Sequence, residues 1–314
     1  MADVTEIASD LQFPEGPIAM DDGSIVLVEI KRGTITWLEA DGAVRKRFDV
    51  GGGPNGAAIG PDGKVYICNN GACFDWQDVM GLTFPGPVPS SWTGGSIQRL
   101  DLDTGDVETI YTESVSAGGG TIPLRAPNDI VFDADGGFWF TDHGVRQDRT
   151  SDLTGLHYAA TDGSSCVEKV HPVDAPNGVG LSPDGTTLYA AETHTGRVWR
   201  WPLSGAGQVD ESQANPLGPG GGHLLAGLEG YQLFDSLAVD GEGWVCVATL
   251  VNGGITAVSP DGATVEHHAF DDPLTTNICF GGDDLRTAYV TLSGTGRLVS
   301  MPWPRAGLAL ANHR

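Results

Sequence analysis

The sequence predicts an all-β fold, a six-bladed β-propeller of four-stranded antiparallel blades, on three observations. Amphipathic stretches with a 3.6-residue period are scarce, short β-rich runs bounded by Gly, Asp or Pro recur from end to end, and one supersecondary unit returns six times. A polar residue just before each candidate first strand sets the register: Glu15, Asn55, Asn128, Asn177, Asp235 and Asn277. Seven residues after each stands an acidic side chain, namely Asp22, Asp62, Asp135, Asp184, Glu242 and Asp284. In five of the six units the next residue is glycine (Gly23, Gly63, Gly136, Gly185, Gly243), as a tight turn requires, and the sixth has Leu285.

In the first unit the runs GPIAM, SIVLVEI, TITWLEA and AVRKRFDV are separated by DDG, KRG and DG, which reads as an up-and-down meander. Later units repeat the opening pair: GAAIG with KVYICNN, DIVFD with GFWFTDH, GVGLS with TTLYAAE. The sixth supplies ICFGG, TAYVTLS and RLVSMPW, then runs out in PRAGLALANHR without a fourth strand. Residues 3–12, DVTEIASDLQ, have no blade of their own and are expected to provide that strand, closing a ring that protects its sheet edges. Blades therefore begin near 15, 55, 128, 177, 235 and 277, and 1–314 reads as a single domain.

Composition agrees. An apolar fraction of 40% and eight Trp suffice for a core, and 46 glycines in 314 residues, about double the ~7% of average proteins, suit many tight turns. With 41 acidic and 17 basic residues the net charge is −24, which repels nucleic acid and anionic membrane surfaces, so neither is expected as a partner. No run of 18 apolar residues offers a membrane span. The start MADVTEIASD is acidic where a secretory signal needs a basic, then apolar, segment; a cytoplasmic location is expected. The five cysteines form no C-x-x-C pair, and Cys68, Cys246 and Cys279 lie in apolar strand runs, where they read as buried, reduced thiols. Nothing in the sequence specifies an oligomeric state.

In a meander blade the first strand lines the central channel, so the six marked residues meet at one mouth. Strand direction alternates, which sends the connections 71–95, 112–127, 143–154 and 203–234 to the same face. What converges is two carboxylates and four carboxamides, without thiol or imidazole: hard oxygen donors of the kind a divalent cation takes. Glu15 and Asp235 balance a 2+ ion. Calcium fits the donors best, and manganese, magnesium, zinc and iron(II) remain open.

The strings FPEGP (13–17), APNDIVFDADGGFWFTD (126–142), APNGVGLSPDGTTLYAAETHTGRVWRW (175–201) and DSLAVDGEGWVCVATLVNGGI (235–255) carry a resemblance. Over about 13–303 the chain resembles the gluconolactonase, regucalcin (senescence marker protein) and luciferin-regenerating-enzyme family. That resemblance implies a six-bladed propeller holding one divalent ion and hydrolysing lactones, with metal ligands at Glu15, Asn128, Asn177 and Asp235, and Asp235 as the proposed base. Regucalcin-like members place an arginine two residues before the first asparagine; here Ala126 stands there and Arg125 precedes it, so substrate contacts do not transfer directly.

The expected activity is hydrolysis of a small, sugar-type lactone. The cation would polarise the carbonyl, and Asp235 would accept a proton from water, which no carboxamide can do. Arg125, Asn128 and His143 are candidate substrate contacts. Trp76, Phe84 and Trp92 either wall the pocket or pack their own loop, and His194 lies beside the same face. An organophosphate hydrolase on the same site and a non-catalytic interaction scaffold are the alternatives. No G-x-S-x-G, H-E-x-x-H or G-x-G-x-x-G motif supports serine hydrolysis, a zincin or dinucleotide chemistry.

Overall fold

The glycine after each acidic turn residue sits where a left-handed backbone reverses the chain: φ is 82° at Gly23, 75° at Gly63, 86° at Gly136, 69° at Gly185 and 81° at Gly243. Leu285 takes the same conformation at φ 56°, so the sixth unit keeps the turn despite its side chain. The computed structural model describes residues 4–312. Six antiparallel sheets form a ring. Their first strands are Pro14–Ala19, Pro54–Ile59, Pro127–Phe132, Pro176–Leu181, Leu233–Val239 and Thr275–Gly281. Each touches the next, and the last touches the first.

The ring closes as the missing strand demands. Thr5–Ala8 pairs antiparallel with Arg297–Pro302, with Thr5 opposite Ser300 and Glu6 opposite Val299. Residue 3 of the expected closing segment lies outside the described residues. Apolar side chains fill the wedge between each pair of neighbouring blades, from Ile35 and Ile67 between the first two to Leu27 and Leu298 between the sixth and the first. Trp139 and Trp201, both fully buried, pack between blades 3 and 4. All five cysteines are unpaired, with Cys68 and Cys246 buried and Cys279 half-buried. No helix is long and apolar enough to cross a membrane among the described residues.

Two connections differ from the sequence reading. Residues 112–127 are not plain loop: Glu113–Val115 and Thr121–Pro123 form a hairpin on the outer edge of blade 3, parallel to its fourth strand at Val115 and Val167. The stretch 203–234 hides the fourth strand of blade 4, His223–Gly227, which pairs with Arg197–Gly205. Residues 206–222 consequently join strands three and four and belong to the face opposite the collar. That five-residue strand follows PLGPGGG and carries no alternating pattern to mark it.

Candidate metal centre and active site

The collar depends on how the inner strands begin. In blades 1 to 4 a proline precedes the marked residue: Pro14, Pro54, Pro127 and Pro176. Opposite each stands the last residue of the second strand, Glu29, Asn69, Asp142 or Glu192. Proline has no N–H to give the ladder. Instead the facing side chain takes an N–H from just upstream. Gln12 N donates to Glu29 Oε2 at 2.7 Å, Gly53 N to Asn69 Oδ1 at 2.9 Å, and Asp174 N to Glu192 Oε1 at 3.2 Å. Asp142 accepts from Arg125 N and Ala126 N, both at 2.7 Å, and from Gly144 N at 3.1 Å. These acceptors fix the segments that deliver Glu15, Asn55, Asn128 and Asn177.

Close packing follows at the next position. A Cβ on Gly16 would lie 2.7 Å from Asn55 O, and one on Gly56 would lie 2.5 Å from Asn128 O, so neighbouring strands meet backbone to backbone at the collar. Blade 3 breaks the pattern with Asp129, the only ionisable side chain at this position in the six units. Its carboxylate is buried and accepts from Ile130 N and Val179 N, each at 3.0 Å, and also interacts with the Leu237 amide. It thus ties blade 3 to blades 4 and 5. Burial pushes its carboxyl up to about 7. Sequence reading missed Asp129 because it opens the strand-like run DIVFD; the departure from Gly16, Gly56 and Gly178 is the signal that marks it.

Glu15 is buried at 2% exposure. Its Oε2 accepts from Gly16 N and from Asn277 Nδ2, both at 2.6 Å, while Oε1 is buried with no partner. Burial first, then the negative charges of Asp235 and Asp129, hold its carboxyl well above the usual carboxylate range. Asn177 donates to Thr193 Oγ1 at 3.1 Å and accepts from Ser236 Oγ at 3.4 Å. Asp235 is half-buried; desolvation raises its carboxyl to about 7, opposed by a hydrogen bond with Asn177 and reinforced by Asp129. Asn128 is buried, and its Oδ1 also lacks a partner.

The chemistry fits an oxygen-bound divalent cation. Unpartnered buried oxygens are costly, and Glu15 Oε1 and Asn128 Oδ1 are two such atoms among mutually repelling carboxylates. Among the described residues no group of three or more His, Cys, Asp or Glu side chains is arranged for a metal, so a cation here needs carboxamide oxygens to complete its shell.

The remaining candidates line the same face. His143 is half-buried, its Nδ1 3.1 Å from Gly144 O and its ring 5.9 Å from that of His194. Burial lowers both imidazoles, His194 to about 4, which leaves them neutral at pH 7. Arg125 pairs through Nε with Asp152 Oδ2 at 2.9 Å and lies over the Trp92 ring at 4.6 Å. Within 71–95, the strands Trp76–Val79 and Leu82–Pro85 form a hairpin. It arches across blade 1, where Trp76 packs on Phe13 at 4.9 Å, and reaches blade 6, where Thr83 N donates to Gly294 O at 2.9 Å.

The sequence profile of the SMP-30/gluconolactonase/LRE-like family matches residues 13–294, nine-tenths of the chain. The chain belongs to this family. A lactonase drp35 of Staphylococcus aureus (strain MRSA252) is 26% identical over 242 residues, covering 76% of this chain. The chain spans 64% of that relative's length. The fold is shared with a gluconolactonase from Xanthomonas campestris, at TM-score 0.73 and 21% identity over 96% of this chain and 90% of the other. It is shared too with a calcium-binding protein, regucalcin, from Agrobacterium tumefaciens, at TM-score 0.70 and 19% identity over 99% and 95%.

Proposed function

We propose that this SMP-30/gluconolactonase/LRE-like protein is a divalent-metal-dependent lactonase acting on a small, sugar-type lactone. The observation that carries the reading is the pair of buried, unpartnered oxygens, Glu15 Oε1 and Asn128 Oδ1, in a collar that also holds Asn177 and Asp235. Family membership and its lactonase and gluconolactonase relatives support the reaction class. Glu15, Asn128, Asn177 and Asp235 would hold the ion, with calcium the best match to an all-oxygen set. When bound, the cation supplies Lewis-acid polarisation of the lactone carbonyl and balances the carboxylate charge.

The rest falls to the chain's own groups. Asp235, half-buried and with its carboxyl raised to about 7, takes the proton of the attacking water on a carboxylate oxygen. Asn128 and Asn177 orient oxygens without exchanging protons. His143, neutral at pH 7, hydrogen-bonds a substrate hydroxyl rather than pairing with a charge. Arg125, its Nε held by Asp152, offers its terminal nitrogens to a hydroxyl or carboxylate. The five unpaired cysteines suit a reducing, cytoplasmic compartment.

Metal-free protein is titrated with calcium, manganese, magnesium, zinc and iron(II), and proton release is followed with aldonolactones, aliphatic lactones and a fluorophosphate. Cation-dependent turnover of an aldonolactone, lost in a folded Asp235→Asn variant, is the expected result. Turnover of the fluorophosphate alone would change the substrate class. Silence with every substrate, or an Asp235→Asn variant as fast as the parent, would overturn the reading.

A further inference from the structure

Below the collar the channel changes character. Asp129 and Asn277 form a ceiling, and beneath it runs a cavity of about 340 Å³. Every blade contributes an apolar side chain to its wall: Ile18, Ile59, Phe132, Leu181, Val239 and Phe280. Asp129, which ties blade 3 to blades 4 and 5, lies at the boundary between this cavity and the collar. The cavity extends towards the other end of the ring and meets the collar only at the ceiling, where Asn277 also donates to Glu15.

The C-terminal segment crosses the outer end of this shaft, with Leu308–Asn312 lining it. Upstream the segment is firmly held: Arg305 pairs with Asp240 at 2.6 Å and Glu266 at 3.1 Å and lies 3.9 Å over Trp244. Past Gly307 the described residues have fewer ties: Leu308 packs on the core between blades 4 and 5. Leu308 N donates to Val239 O at 3.3 Å, and Asn312 Nδ2 reaches Ile59 O in blade 2 at 3.2 Å. Residues 309–311 between them are exposed. Among the described residues the strap is thus fastened more firmly at Arg305 than beyond Gly307, which lets it swing aside.

Volume and charge restrict what enters. Ligand chambers commonly measure ~300–1,000 Å³, and apolar cavities take up apolar molecules in preference to water. Asp129 at the ceiling and Asp133 and Asp184 in the wall make the chamber acidic at its polar points, which disfavours an anionic head group. We propose that the shaft is a binding chamber for a neutral, apolar small molecule, admitted when the strap of residues 308–312 moves.

The test uses the full chain and N-phenyl-1-naphthylamine, a neutral probe that brightens in apolar surroundings. Saturable 1:1 binding is expected. Ala57→Phe, which places a ring in the shaft, should weaken binding about tenfold or more, and Ile59→Trp repeats the filling from the same strand should the first variant misfold. Decanol should displace the probe about tenfold more effectively than decanoate. Ending the chain at Gly307 should speed probe uptake without abolishing binding. The chamber is refuted if the folded parent does not bind the probe, if both folded filled variants bind it equally well, or if decanoate competes as well as decanol. An unchanged uptake rate in the shortened chain refutes the gate. None of these readouts depends on lactone turnover.

Discussion

Gly178 sits between Asn177 and the strand carrying Asp235, and replacing it with alanine tests the collar's packing directly. A Cβ at this position would lie 2.7 Å from Ser236 C and 2.9 Å from Asp235 O, with Leu237 N closer still. Non-bonded heavy-atom contacts settle at ~3.5 Å or more, so the nearest, Leu237 N at 2.4 Å, requires the two inner strands to separate by roughly 1 Å. All three obstacles are backbone, which no rotamer change relieves. Overpacking of this kind costs ~1–3 kcal/mol, and a rigid backbone contact places Gly178→Ala near ~3 kcal/mol. Gly205→Ala is the control: nothing lies within 4 Å of its Cβ, and the loss of chain entropy in the unfolded state makes it neutral or slightly stabilising. Urea unfolding of the metal-free variants gives the stabilities, and calorimetric cation titration reads the collar. Gly178→Ala should be less stable and bind cation more weakly, because Asn177 and Asp235 move apart. A Gly178→Ala protein within ~0.5 kcal/mol of the parent and with unchanged cation affinity would refute the close approach of these strands.

Asp142→Ala removes the acceptor of three N–H groups, those of Arg125, Ala126 and Gly144, and should cost ~3–5 kcal/mol and weaken cation binding by loosening the segment that delivers Asn128; urea melts and cation titration read both effects, and a neutral substitution would contradict the role. His157 is buried, its Nδ1 2.9 Å from Ser114 Oγ, and burial lowers its imidazole to about 3. Because the folded value lies below the unfolded value of ~6.5, this group's contribution is complete above pH ~6.5 and falls by up to ~1.4 kcal/mol per unit as the pH drops towards 3. His157→Gln should therefore flatten the dependence of Tm on pH over that window, and an unchanged slope would exclude His157 as a source of acid sensitivity. Removing residues 1–9 takes away the closing strand Thr5–Ala8, with the packing of Ile7 and Ala8, and should cost ~2–4 kcal/mol by thermal or urea melting; a truncated chain as stable as the parent would show that the ring does not need this closure.

The six-fold register and the closing strand were legible because their signals are local. A polar residue, a short apolar run and an acidic turn recur at fixed spacing, and an incomplete sixth blade requires a strand from elsewhere. Glu15, Asn55, Asn128, Asn177, Asp235 and Asn277 stand out for the same reason, each at the same point of its unit, while the narrower metal set Glu15, Asn128, Asn177 and Asp235 comes from the family resemblance. Asp129 was hidden because one charge at the head of DIVFD resembles ordinary strand punctuation, and its importance appears only when its carboxylate is seen to reach blades 4 and 5. Glu29, Asn69, Asp142 and Glu192 were hidden too. Their task depends on facing a proline across the ladder, a relation between residues about fifteen apart. His223–Gly227 carries no alternation after a glycine-rich stretch, so a long connection masked a fourth strand. The apolar shaft escaped notice because inner-strand Ile, Leu and Val look alike whether they face a neighbouring blade or the axis.

One cation held by oxygens from separate blades is the centre of the proposed site, and anomalous diffraction from crystals grown with manganese tests it most directly. A single peak within bonding distance of Glu15 Oε1, Asn128 Oδ1 and the Asp235 carboxylate, with Asn177 beside it, is the expected result. A collar without a peak at saturating manganese, or an ion bound elsewhere while Glu15 Oε1 stays unpartnered, would contradict it.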